Sequence, residues 1–124
     1  VRLLIDSHIV LAILEPKAVA RETWTEESIF VSVASLWEIA IKFRQGKLNL
    51  AAPPSSLEER LGRFGCEVLP ISTVHVVAEV DPWPDTNDPF DRLLLAVCQV
   101  EDLRLVTRDR KLIDHPLAWK PAAG

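Results

Sequence analysis

Cysteine is scarce in this chain: Cys66 and Cys98 are the only two, they form no CxxC pair, and no histidine stands near either at zinc-ligand spacing. They read as reduced, structural thiols. Long apolar runs are missing too; the longest, such as residues 93–97, fall far short of the roughly 18 to 20 residues that a membrane-spanning helix requires. No transmembrane helix and no membrane partner is therefore expected. The first residues lack the charged, apolar and small-residue regions of a secretory signal, so a cytoplasmic location is expected. Internal repeats and low-complexity segments are absent as well. A surplus of positive charge is the last absence: the formal charge is −4 and the pI about 5.3, which argues against a protein that merely coats a nucleic-acid backbone. An acidic excess gathered around a metal site escapes that argument, because divalent cations bring positive charge of their own.

What is present suits one compact domain over residues 1–124, whose composition is 48% hydrophobic and 26% charged. A chain of this length buries roughly two-thirds of the surface it exposes when unfolded, enough for a core of its own. Strand-like and helix-like segments alternate. Residues 2–5 form an apolar strand ending at Asp6, and 9–14 a short helix stopped near Pro16. Residues 17–24 can form a second helix and 29–31 a β-branched, aromatic strand. Ser32 is placed to cap a helix over 33–43, where Val33, Leu36, Trp37, Ala40 and Phe43 recur at helical spacing and Gly46 stands where a C-terminal cap belongs. After Pro53-Pro54, Ser55 with Glu58, or Ser56 with Glu59, offers a capping box for a helix through Phe64, ended by Gly65. A strand at 67–69 follows, then a helix capped by Ser72 and running to about Val80. Residues 81–87 read as a proline-rich loop, and Asp88-Pro89 as the N-cap and first position of a buried helix through about Val100. Residues 104–107 form another strand, 110–113 a short helix, and the tail from about 116 either adds an edge strand or stays loose. This alternation predicts an α/β sandwich with a mainly parallel central sheet covered on both faces.

Within that frame four acids stand out by position. Asp6 directly follows the first strand, and sites in open parallel sheets collect at the carboxyl ends of strands; a turn or helix cap would explain it as well. Glu38 interrupts Leu36-Trp37-Glu38-Ile39-Ala40-Ile41, where a carboxylate is costly to bury unpartnered, although Lys42 four residues on could pair with it on a solvated face. Asp91 lies in the first turn of the late buried helix, where the macrodipole favours an ionised carboxylate; Asp88 serves the capping role better and leaves Asp91 less structural reason to be acidic. Asp109 repeats the Asp6 situation after Leu105-Val106-Thr107. Carboxylates converging from strand ends and helix starts repel one another unless cations intervene, and Mg2+ or Mn2+ are the hard ions that all-oxygen ligand sets select. Such a site can hydrolyse phosphodiesters by in-line displacement.

Four blocks then carry a family resemblance: Leu3-Leu4-Ile5-Asp6-Ser7-His8, Ser35-Leu36-Trp37-Glu38-Ile39-Ala40-Ile41-Lys42, Asp88-Pro89-Phe90-Asp91-Arg92-Leu93-Leu94 and Leu105-Val106-Thr107-Arg108-Asp109. Over nearly its whole length the sequence resembles the PIN-domain ribonucleases of the VapC toxin type. The resemblance implies a PIN-like α/β/α sandwich and matches the family's acids to Asp6, Glu38, Asp91 and Asp109, as catalytic and metal-binding residues, with Asp88 assisting. It further implies Mg2+ or Mn2+ dependence, an RNA substrate, a homodimer, and a toxin neutralised by a VapB-like antitoxin. Ser7 stands where the subgroup more often has Thr, and Thr86-Asn87 stands where relatives often carry His or Arg, which removes a phosphate contact.

Around the acids, Ser7 and Thr107 are placed to orient carboxylates or water, or simply to satisfy turn backbone. Arg92, Arg108 and Lys42 are the candidate phosphate contacts, a solvated helix face being the alternative. Trp37 and Phe90 are expected in the core. Trp83, in the polar loop, is expected in core or dimer packing, with stacking on an unpaired base as the second reading. Two other functions compete. A haloacid-dehalogenase-like phosphatase also has Asp after its first strand, but its second Asp would fall at His8. A catalytically silent PIN-fold binding protein would not need all four acids.

Overall fold

The computed structural model describes residues 2–15 and 28–120, so the helix expected over 17–24 lies outside the described residues. Four strands, β1 (Arg2–Ile5), β2 (Ser28–Ser32), β3 (Cys66–Leu69) and β4 (Arg104–Val106), form one sheet in the order β3-β2-β1-β4. Every pairing is parallel, with Ile5 beside Val31 on one side and Val106 on the other. Leu3, Leu4 and Ile5 are each fully buried, as a parallel strand covered on both faces requires. The pleat sorts them. Leu3 and Ile5 join Val31, Val106, Ile9, Ile13, Ile39 and Leu61 in one core cluster, while Leu4 and Leu105 face Leu94, Leu95 and Cys98 in another.

The first cluster is covered by α1 (Ser7–Leu14), α2 (Val33–Arg44) and α3 (Leu57–Arg63), the second chiefly by α5 (Pro89–Glu101). The expected α/β/α arrangement with a parallel sheet is thus present. Short α4 (Thr73–Val77) rides on α5: His75 Nδ1 accepts the Ser72 backbone N–H at 3.0 Å, leaving Nε2 to donate to Glu101 Oε1 at 2.9 Å. No helix among the described residues is long and apolar enough to cross a membrane. Both cysteines are free and buried, and burial pushes the Cys98 thiol up to about 12, so neither is a reactive thiolate.

Several sequence expectations need correcting. Of the apolar positions picked for α2, Ala40 is buried and Leu36 packs against the core, but Trp37 is 59% exposed and Val33 and Phe43 also reach solvent; Ala34, Ser35 and Ile39 complete the buried face. No helix runs continuously into α3 from a capping box; a 3-10 turn, Pro54–Ser56, precedes it, and the Ser56 hydroxyl donates back to the Pro53 carbonyl. The helix after Ser72 stops at Val77 rather than Val80, and residues 110–113 form turns closed on the Asp109 carbonyl. The tail does extend the sheet, through one bridge between Ala118 and Leu105.

Leu4→Ala removes a wholly buried side chain from the central strand. It should cost about 2–5 kcal/mol, read as a lower urea midpoint at unchanged slope. A midpoint equal to that of the unaltered protein would contradict this packing.

Candidate active site

Because the sheet is covered on both faces, its solvent-facing chemistry concentrates at strand ends. β1 and β4 are neighbours whose following segments run to opposite sides of the sheet, the place where a crevice opens in folds of this kind. Asp6 leaves β1 there, its backbone N–H donating to the Val106 carbonyl at 3.3 Å and its Oδ1 capping α1 through the Ile9 N–H at 3.0 Å. Across the same gap, Asp109 is held by its N–H to Thr107 Oγ1 at 3.1 Å, while its Oδ1 accepts the Lys111 N–H at 2.9 Å. Thr107 therefore acts on the backbone of Asp109, and Ser7 is buried at the start of α1.

Two helices bring the other acids. Ser32 ends β2 and also caps α2, accepting the Ala34 N–H at 3.1 Å, so no linker separates strand from helix. Glu38 projects one turn beyond, and Ser35 Oγ, three residues before it, is buried without a hydrogen-bond partner. On α5, Asp88 Oδ1 accepts the N–H groups of Phe90 and Asp91 at 2.8 and 3.3 Å, with Pro89 at the first helical position. Asp88 spends this oxygen on capping, which frees Asp91, three residues further in, to face the other acids. An edge-on contact between Trp37 and Phe90, 5.6 Å between centroids, joins α2 to α5, the helices that carry these two carboxylates.

The basic residues are more occupied than their sequence positions suggest. Lys42 pairs with Glu38 at 3.2 Å, the i,i+4 pairing that the spacing allows. Arg92 donates to the Thr86 carbonyl at 2.7 Å and lies 4.3 Å over the Trp83 ring, so both brace the proline-rich loop. Trp83 is 69% exposed rather than in the core. Arg108 is exposed and lines an open depression with His8 and Asp109. One residue escaped the sequence reading. Thr86, noted there only for lacking positive charge, is buried, donates to Asp91 Oδ2 at 3.4 Å and accepts the Asp88 N–H at 3.1 Å. A hydroxyl two residues before the capping Asp was the available signal.

Electrostatics links these acids. Burial, then the negative charges of Asp88, Asp109 and Glu38, raise the Asp91 carboxyl to about 6, with the Thr86 hydroxyl opposing. Glu38 and Asp109 are thereby both near enough to act on Asp91; Asp6 is placed with them by strand register rather than by any such effect on Asp91. Among the described residues no group of three or more His, Cys, Asp or Glu side chains is drawn tight enough to hold a metal ion. The donor chemistry nonetheless fits a hard cation: among the described residues, Asp6, Glu38, Asp91 and Asp109 each have one carboxylate oxygen that takes no hydrogen bond, and an accumulation of negative charge is what a divalent ion relieves. Without a cation the arrangement costs stability. Between the ordinary value near 3.8 and about 6, the folded protein keeps a proton that the unfolded chain has released, so stability falls as pH rises through that window. In EDTA, Asp91→Asn should therefore melt higher than the unaltered protein at pH 7.5, and this advantage should vanish near pH 4. Equal melting temperatures at both pH values would mean that the acids do not crowd Asp91.

Comparison with known proteins identifies the family to which this fold belongs. The PIN domain family model matches residues 3–116. Ribonuclease VapC22 of Mycobacterium tuberculosis is 30% identical over 117 residues, 90% of each chain. Ribonuclease VapC16 of the same organism is 37% identical over 65 residues, 52% of this chain and 45% of that protein. A chain in a toxin-antitoxin complex from Klebsiella pneumoniae shares the fold, with a TM-score of 0.66 at 16% identity over 97% of this chain and 98% of that one. The chain accordingly belongs to the PIN-domain family, as a member of its VapC type.

Proposed function

We propose that this protein is a Mg2+- or Mn2+-dependent endoribonuclease that hydrolyses RNA phosphodiester bonds and acts as a toxin restrained by a cognate antitoxin. The observation that carries the reading is the crowding of Asp91 by Glu38 and Asp109 at the carboxyl end of the sheet, in a chain similar over 90% of its length to a VapC ribonuclease. Asp6, Glu38, Asp91 and Asp109 would hold the cation. When bound, the ion supplies Lewis-acid activation of water and offsets charge on the phosphodiester. The chain does the rest. Thr86 and Asp88 set the orientation of Asp91, and Thr107 fixes the turn that carries Asp109. Lys42 neutralises part of the charge on Glu38, and exposed Arg108 is the basic group best placed to meet a phosphate. Acidification toward pH 6 protonates Asp91 and so opposes cation binding.

In this reading residues 1–124 act as one cytoplasmic domain, and two copies pair through the apolar surface of α4, where Val74, Val76 and Val77 are exposed. The deciding experiment is cleavage of total RNA by the purified protein and by Asp91→Asn and Asp6→Asn, each with Mn2+, Mg2+ or EDTA. Cleavage should need the metal and fall at least about a hundredfold in either mutant, as expected when a charge that holds the reacting groups is removed. Full activity in both mutants, or in EDTA, would place the chemistry elsewhere.

A further inference from the structure

An acidic ribonuclease must gain affinity for RNA from something other than net charge. The formal charge here is −4, Lys42 is paired with Glu38, and Arg92 is held by Thr86 and Trp83. Yet two aromatic rings couple the helices that carry two of the acids, each adjacent in sequence to one of them: Trp37 to Glu38 on α2, and Phe90 to Asp91 on α5. Phe90 meets the Trp37 ring at 5.6 Å and 64°, which fixes the indole's orientation while leaving 59% of the residue in solvent. Its neighbour Glu38 has a side chain only 14% exposed. Helix α2 thus directs a charge inward and its largest ring outward, against the tendency of large apolar groups to be buried. Trp83, by contrast, already carries a guanidinium on its ring.

We propose that Trp37, steadied by Phe90, is a stacking platform for one unpaired nucleobase next to the phosphodiester to be cut. The proposal rests on the ribonuclease reading above. Every base has a π-face, so such a platform adds affinity without adding charge, tolerates varied sequence, and excludes paired bases. The ring pair joins the same two helices, α2 and α5, that carry Glu38 and Asp91, so a base flanking a phosphate at the acids meets the ring surface on that helix pair.

The test uses catalytically silent Asp91→Asn protein, with Trp37 intact, irradiated with random-sequence single-stranded RNA containing 5-bromouridine, the crosslinked residue being identified by mass spectrometry. Crosslinks at Trp37 or Phe90 are expected. In an otherwise unaltered protein, Trp37→Leu should raise KM for RNA about 5- to 100-fold with kcat within about twofold, and Trp37→Phe should recover most of the loss. Crosslinks elsewhere, with KM unchanged in Trp37→Leu, would overturn the platform, leave the ribonuclease reading standing and point to a protein ligand for the aromatic pair. No crosslink and no cleavage by the unaltered protein would overturn both. The crosslink is read with Trp37 in place, so it decides the matter even if Trp37→Leu melts early.

Discussion

A parallel strand buried on both faces offers solvent only its ends. In β1 only the first residue, Arg2, reaches solvent, while Leu3, Leu4 and Ile5 are all inaccessible, and most other features follow from this constraint. Polar side chains cannot be carried along such a strand, so Asp6 comes at its exit, and Asp109 comes just past the exit of the neighbouring β4. Helices needed to cover the two faces then deliver Glu38 and Asp91 to the same edge. The acids gather where the chain is allowed to be polar.

The start of α5 divides its labour among near neighbours. Asp88 closes the open N–H groups of the helix, Pro89 fits the first position, and Asp91 is left with charge that the helix does not require. Thr86 serves both, accepting from the Asp88 backbone and donating to the Asp91 carboxylate, while Arg92 reaches back to hold the Thr86 carbonyl. The loop before α5 is further secured where Asp81 N–H meets Gln99 and where the Pro82 carbonyl accepts from His115. A strongly perturbed carboxylate is tolerated because its surroundings are fixed from several directions.

Much of this was legible in the sequence, for identifiable reasons. The run Leu3-Leu4-Ile5 has no polar face and so suits only a doubly covered strand, and Asp88-Pro89 announces a helix start by its chemistry alone. The i,i+4 spacing of Glu38 and Lys42 had offered their pairing as the alternative reading, and the pair is formed. The rotation of α2 was not legible. Apolar spacing chose a stripe that held Ala40 but also Val33, Trp37 and Phe43, whereas the helix begins directly at the end of β2, and small Ala34 and Ser35 join Ala40 in its buried face. Where backbone geometry fixes a helix's rotation, side-chain size decides which face fits, and hydrophobicity comes second. Thr86 was hidden for another reason: its partners are reached across a loop turn, and no periodicity describes that.

The segment after Asp109 has a consequence for assembly. Leu105 donates its N–H to the Leu117 carbonyl and accepts the Trp119 N–H, both at 2.8 Å, so the outer hydrogen-bonding side of β4 is already taken by the chain itself. At the opposite border, β3 is only four residues long and carries exposed Glu67. One margin of the sheet is thus sealed and the other is short and charged. Edge-to-edge stacking of sheets, the usual route to fibrous aggregates, finds little purchase at either, and any contact between copies is steered toward helical surfaces.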